Sequence, residues 1–164
     1  IINSMTTFTK WFLLNAVMVT AIFFAEQKGL ISTMVEADLS HISILIMFLY
    51  VCISGLVGRL CYLSDRLSKD NAAKKKKELE YLTKRSDVGW FAAEHFFSLG
   101  LLGTIIGLIL ATEGSLDSSV PTAQIVAGLK QGLNTAFYTT VCGIVFSLPL
   151  QVQLMILKFR LESK

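Results

Sequence analysis

Carboxylates are missing from the four longest apolar stretches of this chain, which run from about Phe8 to Ala25, Ile42 to Leu63, Phe96 to Thr112 and Leu133 to Leu157. A carrier that moves protons unaided needs a titrating group at membrane depth, and this sequence places no Asp or Glu there. The histidines do not fill the gap, because His41 and His95 each lie at the boundary of a stretch. Small exporters built on an intramembrane glutamate are thereby disfavoured. Cysteine is scarce as well. Cys52, Cys61 and Cys142 lie in or beside the stretches, an odd number without metal-ligand spacing, so they read as small apolar fillers. No metal site is expected. No nucleophile and base pair, phosphate-cradling glycine loop or dinucleotide fingerprint occurs, which argues against an enzyme, and no cofactor is expected. Basic residues are not interleaved with aromatics, so nucleic acid is not an expected partner.

What is present is apolar: 53% of the 164 residues are hydrophobic and only 16% are charged, too few to wet the surface of a soluble domain. Crossing a bilayer takes about 20 apolar residues, and each stretch comes close. The composition therefore predicts an all-α, polytopic protein of the lipid bilayer with four transmembrane helices. The first stretch is the weakest, since Asn15 interrupts it and Lys10 must snorkel. A cleaved signal peptide is the rival reading of it, but no small-x-small site precedes Glu26. The sequence begins with Ile rather than Met, which points to a trimmed or partial chain.

Of the 15 Lys and Arg, all but Lys28 and Lys130 fall in the N-terminal segment, at the end of the second stretch, between Ser64 and His95, or after Leu157. This asymmetry predicts that both termini and the Lys74-Lys75-Lys76-Lys77 run are cytoplasmic, with 26–41 and 113–131 facing outward. The outward segments carry Glu26, Glu36, Asp38, Glu113 and Asp117, most simply a solvated acidic face. The lysine run serves topology and contact with anionic lipid heads. Between Asn71 and Arg85, Ala72, Ala73, Leu79 and Leu82 recur among Lys and Glu, which suggests a helix continuing below the membrane. Three regions follow: 1–63 with two helices, 64–95 as a basic helical connection, and 96–164 with two further helices. Arg59 is expected to snorkel towards headgroups or to meet a neighbouring subunit, and Trp11, Trp90 and Tyr62 read as interface anchors.

The last stretch carries the most specific pattern. Ala136, Thr140, Gly143 and Ser147 recur every three or four positions, which places small and hydroxyl side chains on one helical face. A helix facing lipid on all sides has no need of such a stripe, so either another helix or water and ions sits against it. Gly100, Gly103 and Gly107 on the third helix allow similarly close approach, and Pro149 is expected to kink the fourth.

The run Gly100-Leu101-Leu102-Gly103-Thr104-Ile105-Ile106-Gly107, followed by Gly128-Leu-Lys-Gln-Gly132-Leu-Asn-Thr135-Ala-Phe-Tyr-Thr139-Thr140-Val-Cys-Gly143-Ile-Val-Phe-Ser-Leu148-Pro149, resembles the MotA/TolQ/ExbB proton channel family. The likeness covers roughly Phe97 to Gln153. It implies that the third and fourth helices line the centre of a homopentamer, around a dimer of a single-span partner of the MotB, TolR or ExbD kind. That partner carries an intramembrane Asp, the helices of 1–63 are peripheral to the pore, and the assembly is a stator or energiser of a bacterial inner membrane driven by H⁺ or Na⁺. The missing carboxylate fits this division of labour. Thr104 and Thr140 match the family's pore threonines; Thr135, Thr139 and Ser147 add hydroxyls to the expected ion pathway, while Gly100, Gly103, Gly107, Gly143 and Pro149 shape the packing. Thr135 stands where the TolQ and ExbB branch has a Glu, so that residue's relay role does not transfer. The connection between the second and third helices is too short for the rotor-engaging domain of MotA. The opposing expectation is a structural or holin-like membrane protein, in which the same threonines only bond helix to helix.

Overall fold

The computed structural model describes residues 6–67, 72–113 and 121–163, and every regular element among them is α-helical. Asp117 and Asn71, and the side chains of Ala72 and Ala73, lie outside the described residues. The helices are α1 (Thr7–Gln27), α2 (Leu30–Ala37), α3 (Ile42–Asp65), α4 (Ala72–Glu113) and α5 (Thr122–Glu162). Four of them, all but α2, are long and apolar enough to cross a membrane. The chain is a multi-pass membrane protein.

α4 and α5 dominate the architecture. Their 42 and 41 residues correspond to about 60 Å each at 1.5 Å per residue, twice the roughly 30 Å of hydrocarbon. Gly89 faces Leu154, Gly100 faces Gly143, and Gly107 faces Ala136, so the two run antiparallel and stay in contact for most of their length. No break separates the basic segment from the apolar one: α4 passes through His95 and Phe96 without interruption. α3 lies against both long helices, and α1 lies outside α3 and α5. The core where α3, α4 and α5 meet contains Ile46, Val57, Ala93, Phe96, Leu150, Leu154 and Leu157, all essentially without exposure.

Two features pin the helix ends. At one end, Asp65 Oδ2 accepts the Phe8 N–H at 2.9 Å while Oδ1 lies 3.6 Å from Arg160 Nε, which ties α1, α3 and α5 together. At the other end, the segment expected as an outward loop contains α2, introduced by Gly29 at φ 68°, a left-handed conformation that glycine adopts without strain. Asp38 then closes the turn into α3. One carboxylate oxygen accepts from the Ser40 N–H and hydroxyl (2.9 and 2.6 Å), the other from the Ser43 N–H at 2.8 Å.

Burial of Asp38 favours its neutral form, yet the bonds from Ser40 and Ser43 outweigh it, and its pKa is held below 3.8. Because the folded value is depressed, the cap's contribution is complete above the unfolded value and is lost as pH falls through the folded one. Thermal unfolding in detergent is expected to show an acid-side loss of stability below pH 3.8 that shrinks in Asp38→Asn. An unchanged acid limb in the variant refutes this.

Candidate functional site

The small-residue stripe of α5 faces α4, which settles which neighbour covers it. A Cβ added at Gly100 would lie 3.0 Å from the Thr139 carbonyl oxygen and 3.2 Å from Gly143 Cα; one added at Gly143 would lie 2.7 Å from the Phe96 carbonyl oxygen. At Gly107 the added atom would meet Ala136 N and Gly132 O, both at 2.6 Å, and at Gly103 it would collide with the Thr139 side chain. The backbones therefore approach as closely as glycine allows. Pro149 lies inside α5, half-buried, and the helix continues beyond it to Glu162.

Within this seam Thr104 and Thr140 meet. Their hydroxyl oxygens are in direct hydrogen-bond contact, and both residues are only partly buried. Each hydroxyl also lies near the same two carbonyls: Thr104 Oγ1 is 3.1 Å from Gly100 O and 3.3 Å from Ala136 O, and Thr140 Oγ1 is 3.4 and 3.1 Å from them. Four oxygens thus converge on two hydroxyl protons. Two protons cannot satisfy all of these contacts at once, so lone pairs remain to accept from water or to face a cation. Such a knot stabilises positive charge without carrying a fixed negative one.

The other hydroxyls are turned inward. Thr135 and Thr139 are both 0% exposed. Thr135 Oγ1 lies 2.9 Å from the Ala37 carbonyl, to which it donates, and accepts from the Leu39 N–H at 3.3 Å, which fastens α5 to the α2–α3 turn. Thr139 bonds back to Thr135 O and Ala136 O in its own helix. Ser147 donates to Ala93 O of α4 at 2.7 Å and accepts from Gln151 Nε2 at 3.0 Å. Helical geometry explains the division: a step of one residue turns the side chain by about 100°, so Thr139 faces Gly103 while Thr140 reaches the edge of the seam.

A second polar cluster, which sequence reasoning missed, joins α1, α3 and α5. Ser54 Oγ lies 2.9 Å from both Asn15 Oδ1 and Gln153 Oε1, and Gln153 Nε2 lies 3.2 Å from Tyr50 Oη. Its signal was a polar residue in each of three apolar stretches, with no spacing to join them. Trp11, expected as a lipid-interface anchor, fills the space beside Gly58 and donates to Ser54 O at 3.0 Å. Cys61 and Cys142 are buried free thiols, consistent with a filling role, and Cys52 is exposed. Among the described residues no group of His, Cys, Asp and Glu is arranged to hold a metal.

The model of the MotA/TolQ/ExbB proton channel family matches residues 64–164, more than half of the chain. This chain belongs to that family. The match begins well before the two glycine-threonine blocks and takes in the whole of both long helices. No curated protein and no solved structure gives a match. As a MotA/TolQ/ExbB protein, the chain is a channel-type motor subunit rather than an enzyme, of a kind that works in complex with a partner protein. The half-open threonine knot lies between the two helices on which both of the family-like blocks fall.

Proposed function

We propose that this protein is the channel-forming subunit of an ion-motive-force-driven motor or energiser, conducting H⁺ or Na⁺ between α4, α5 and an Asp-bearing helix of a MotB/ExbD/TolR-like partner. The observation that carries the reading is the Thr104–Thr140 knot, partly open at the seam of the two long helices. None of the four apolar stretches contains a carboxylate, so in this reading the acid comes from the partner. An ionised Asp at membrane depth costs about 2.5–3.5 kcal/mol on insertion scales. A threonine proton turned from its helix carbonyl to the Asp lowers that cost, and a neutral hydroxyl keeps the site weak enough to release the ion.

In this proposal five copies surround two partner helices. Five walls cannot match a two-fold axis, so neutralisation of one Asp lets it leave its niche and the pentamer step round. Each charge crossing 100 mV supplies about 2.3 kcal/mol for the step. The membrane is a bacterial inner membrane, as family membership supports, and the basic ends of α4 and α5 and both termini lie in the cytoplasm, as the Lys and Arg distribution supports.

Co-purification with the single-span partner tests the assembly. Native mass spectrometry of the particle is expected to give five copies of this chain to two of the partner; a monomer or a dimer would remove the basis for rotation. One observation favours a purely structural reading, namely that both threonines already reach backbone carbonyls. Substitution at Thr140 separates the two.

A further inference from the structure

Two cavities open side by side along the groove between α3 and the first half of α4. The first, of about 320 Å³, is walled by Gly55, Leu56 and Leu60, with Arg59, Arg85 and Tyr81 also lining it and no acidic residue among its walls. The second, of about 380 Å³, shares Leu63 and Tyr81 with it and adds Arg66 and Lys77, beside Glu78. Among the described residues, Arg59, Arg66 and Arg85 enter no ion pair, unlike Lys84, Lys158 and Arg160, which meet Glu80, Glu162 and Asp65. Aromatic faces hold two of the three: Arg85 lies 5.6 Å from the Tyr81 ring centre and Arg66 4.8 Å from that of Tyr62.

Position along the membrane adds to the charge. α3 is a span, and Arg59 falls within two turns of its end at Asp65, where a long side chain reaches the headgroup layer. Gly55 and Leu56 lie about one turn deeper. An added Cβ at Gly55 would meet no atom within 4 Å, so the glycine leaves an open notch towards the hydrocarbon. Cations outside and an apolar channel inside reproduce the order of a phospholipid. A zwitterionic lipid would bring its own cation against Arg59 and Arg85, and free phosphate would leave the apolar wall unused.

We propose that the α3–α4 groove binds an anionic phospholipid, its phosphodiester between Arg59 and Arg85 and an acyl chain along Leu60, Leu56 and the notch at Gly55. The site shares no residue with the threonine knot and stands independently of the pore reading.

The test uses the intact protein reconstituted in phosphatidylcholine nanodiscs doped with phosphatidylglycerol, then extracted in detergent, with retained lipid counted by mass spectrometry. Wild type is expected to retain phosphatidylglycerol in preference to phosphatidylcholine. Arg59→Gln/Arg85→Gln should hold it about 30-fold less tightly, given the usual contribution of two cations near the surface. Gly55→Leu, which fills the notch and leaves both cations, should lose retention too. Lys84→Gln, whose residue pairs with Glu80 and lines neither cavity, should not. Equal retention of the two lipids, or undiminished phosphatidylglycerol in the double variant, overturns the proposal. If the double variant changes particle size, Gly55→Leu decides: normal retention there means that the arginines bind a neighbouring protein instead.

Discussion

Thr140→Val is expected to leave the assembly intact and to cut ion-driven flux by about 10- to 100-fold, the loss of one hydrogen bond to a charged group. Valine has nearly the volume of threonine, so the glycine seam stays filled. The carbonyls of Gly100 and Ala136, which the hydroxyl approaches at 3.4 and 3.1 Å, also serve their own helices and are not orphaned. What disappears is one of four converging oxygens and one of the two protons. Thr140→Ser restores both and should restore flux. The measurement is ion uptake by liposomes that contain both subunits, under an imposed voltage, with particle size checked in parallel. Wild-type flux through the valine variant would reduce the threonine pair to a helix fastener.

Gly107→Ala should be far more damaging than its size suggests. The new methyl would lie 2.6 Å from Ala136 N and from Gly132 O, both backbone atoms, so no side chain can swing away and the helices themselves must part. Overpacking of this kind costs about 1–3 kcal/mol, occasionally more. Gly128→Ala is the matched control, because nothing lies within 4 Å of its added carbon, and alanine favours a helix interior by up to about 1 kcal/mol. Thermal unfolding in detergent should therefore move in opposite directions for the two variants. If Gly107→Ala melts no lower than wild type, the approach of the helices is looser than described.

Much of this was readable from the residues, for reasons that also mark where reading failed. Four spans were visible because lipid imposes one requirement on every exposed side chain, and Phe, Ile, Leu and Val meet it. The helicity of the basic segment was visible in the spacing of Leu79 and Leu82, although its unbroken union with the following apolar segment was not. α2 was missed: eight residues, Leu30–Ala37, give too few turns for a period to stand out inside a polar connection. The stripe on α5 left a neighbouring helix and water both open, and only the fold placed α4 against it. That Thr104 meets Thr140 depends on the register of two helices, which no local pattern encodes. The Asn15, Tyr50, Ser54 and Gln153 cluster failed for a related reason. A lone polar residue in an apolar stretch reads as a cost until its partners on other helices are known.

The length of the α4–α5 pair carries a mechanical consequence. Glycine contacts from Gly89 to Gly107 leave little room for the two helices to slide or splay, so they behave as one beam. From Thr104 to the start of α4 at Ala72 is about 48 Å at 1.5 Å per residue, and a 5° tilt about the threonines would carry that tip roughly 4 Å sideways. Under the proposed mechanism, the loss of one charge beside a hydroxyl would in this way be geared up into a displacement about as large as a side chain.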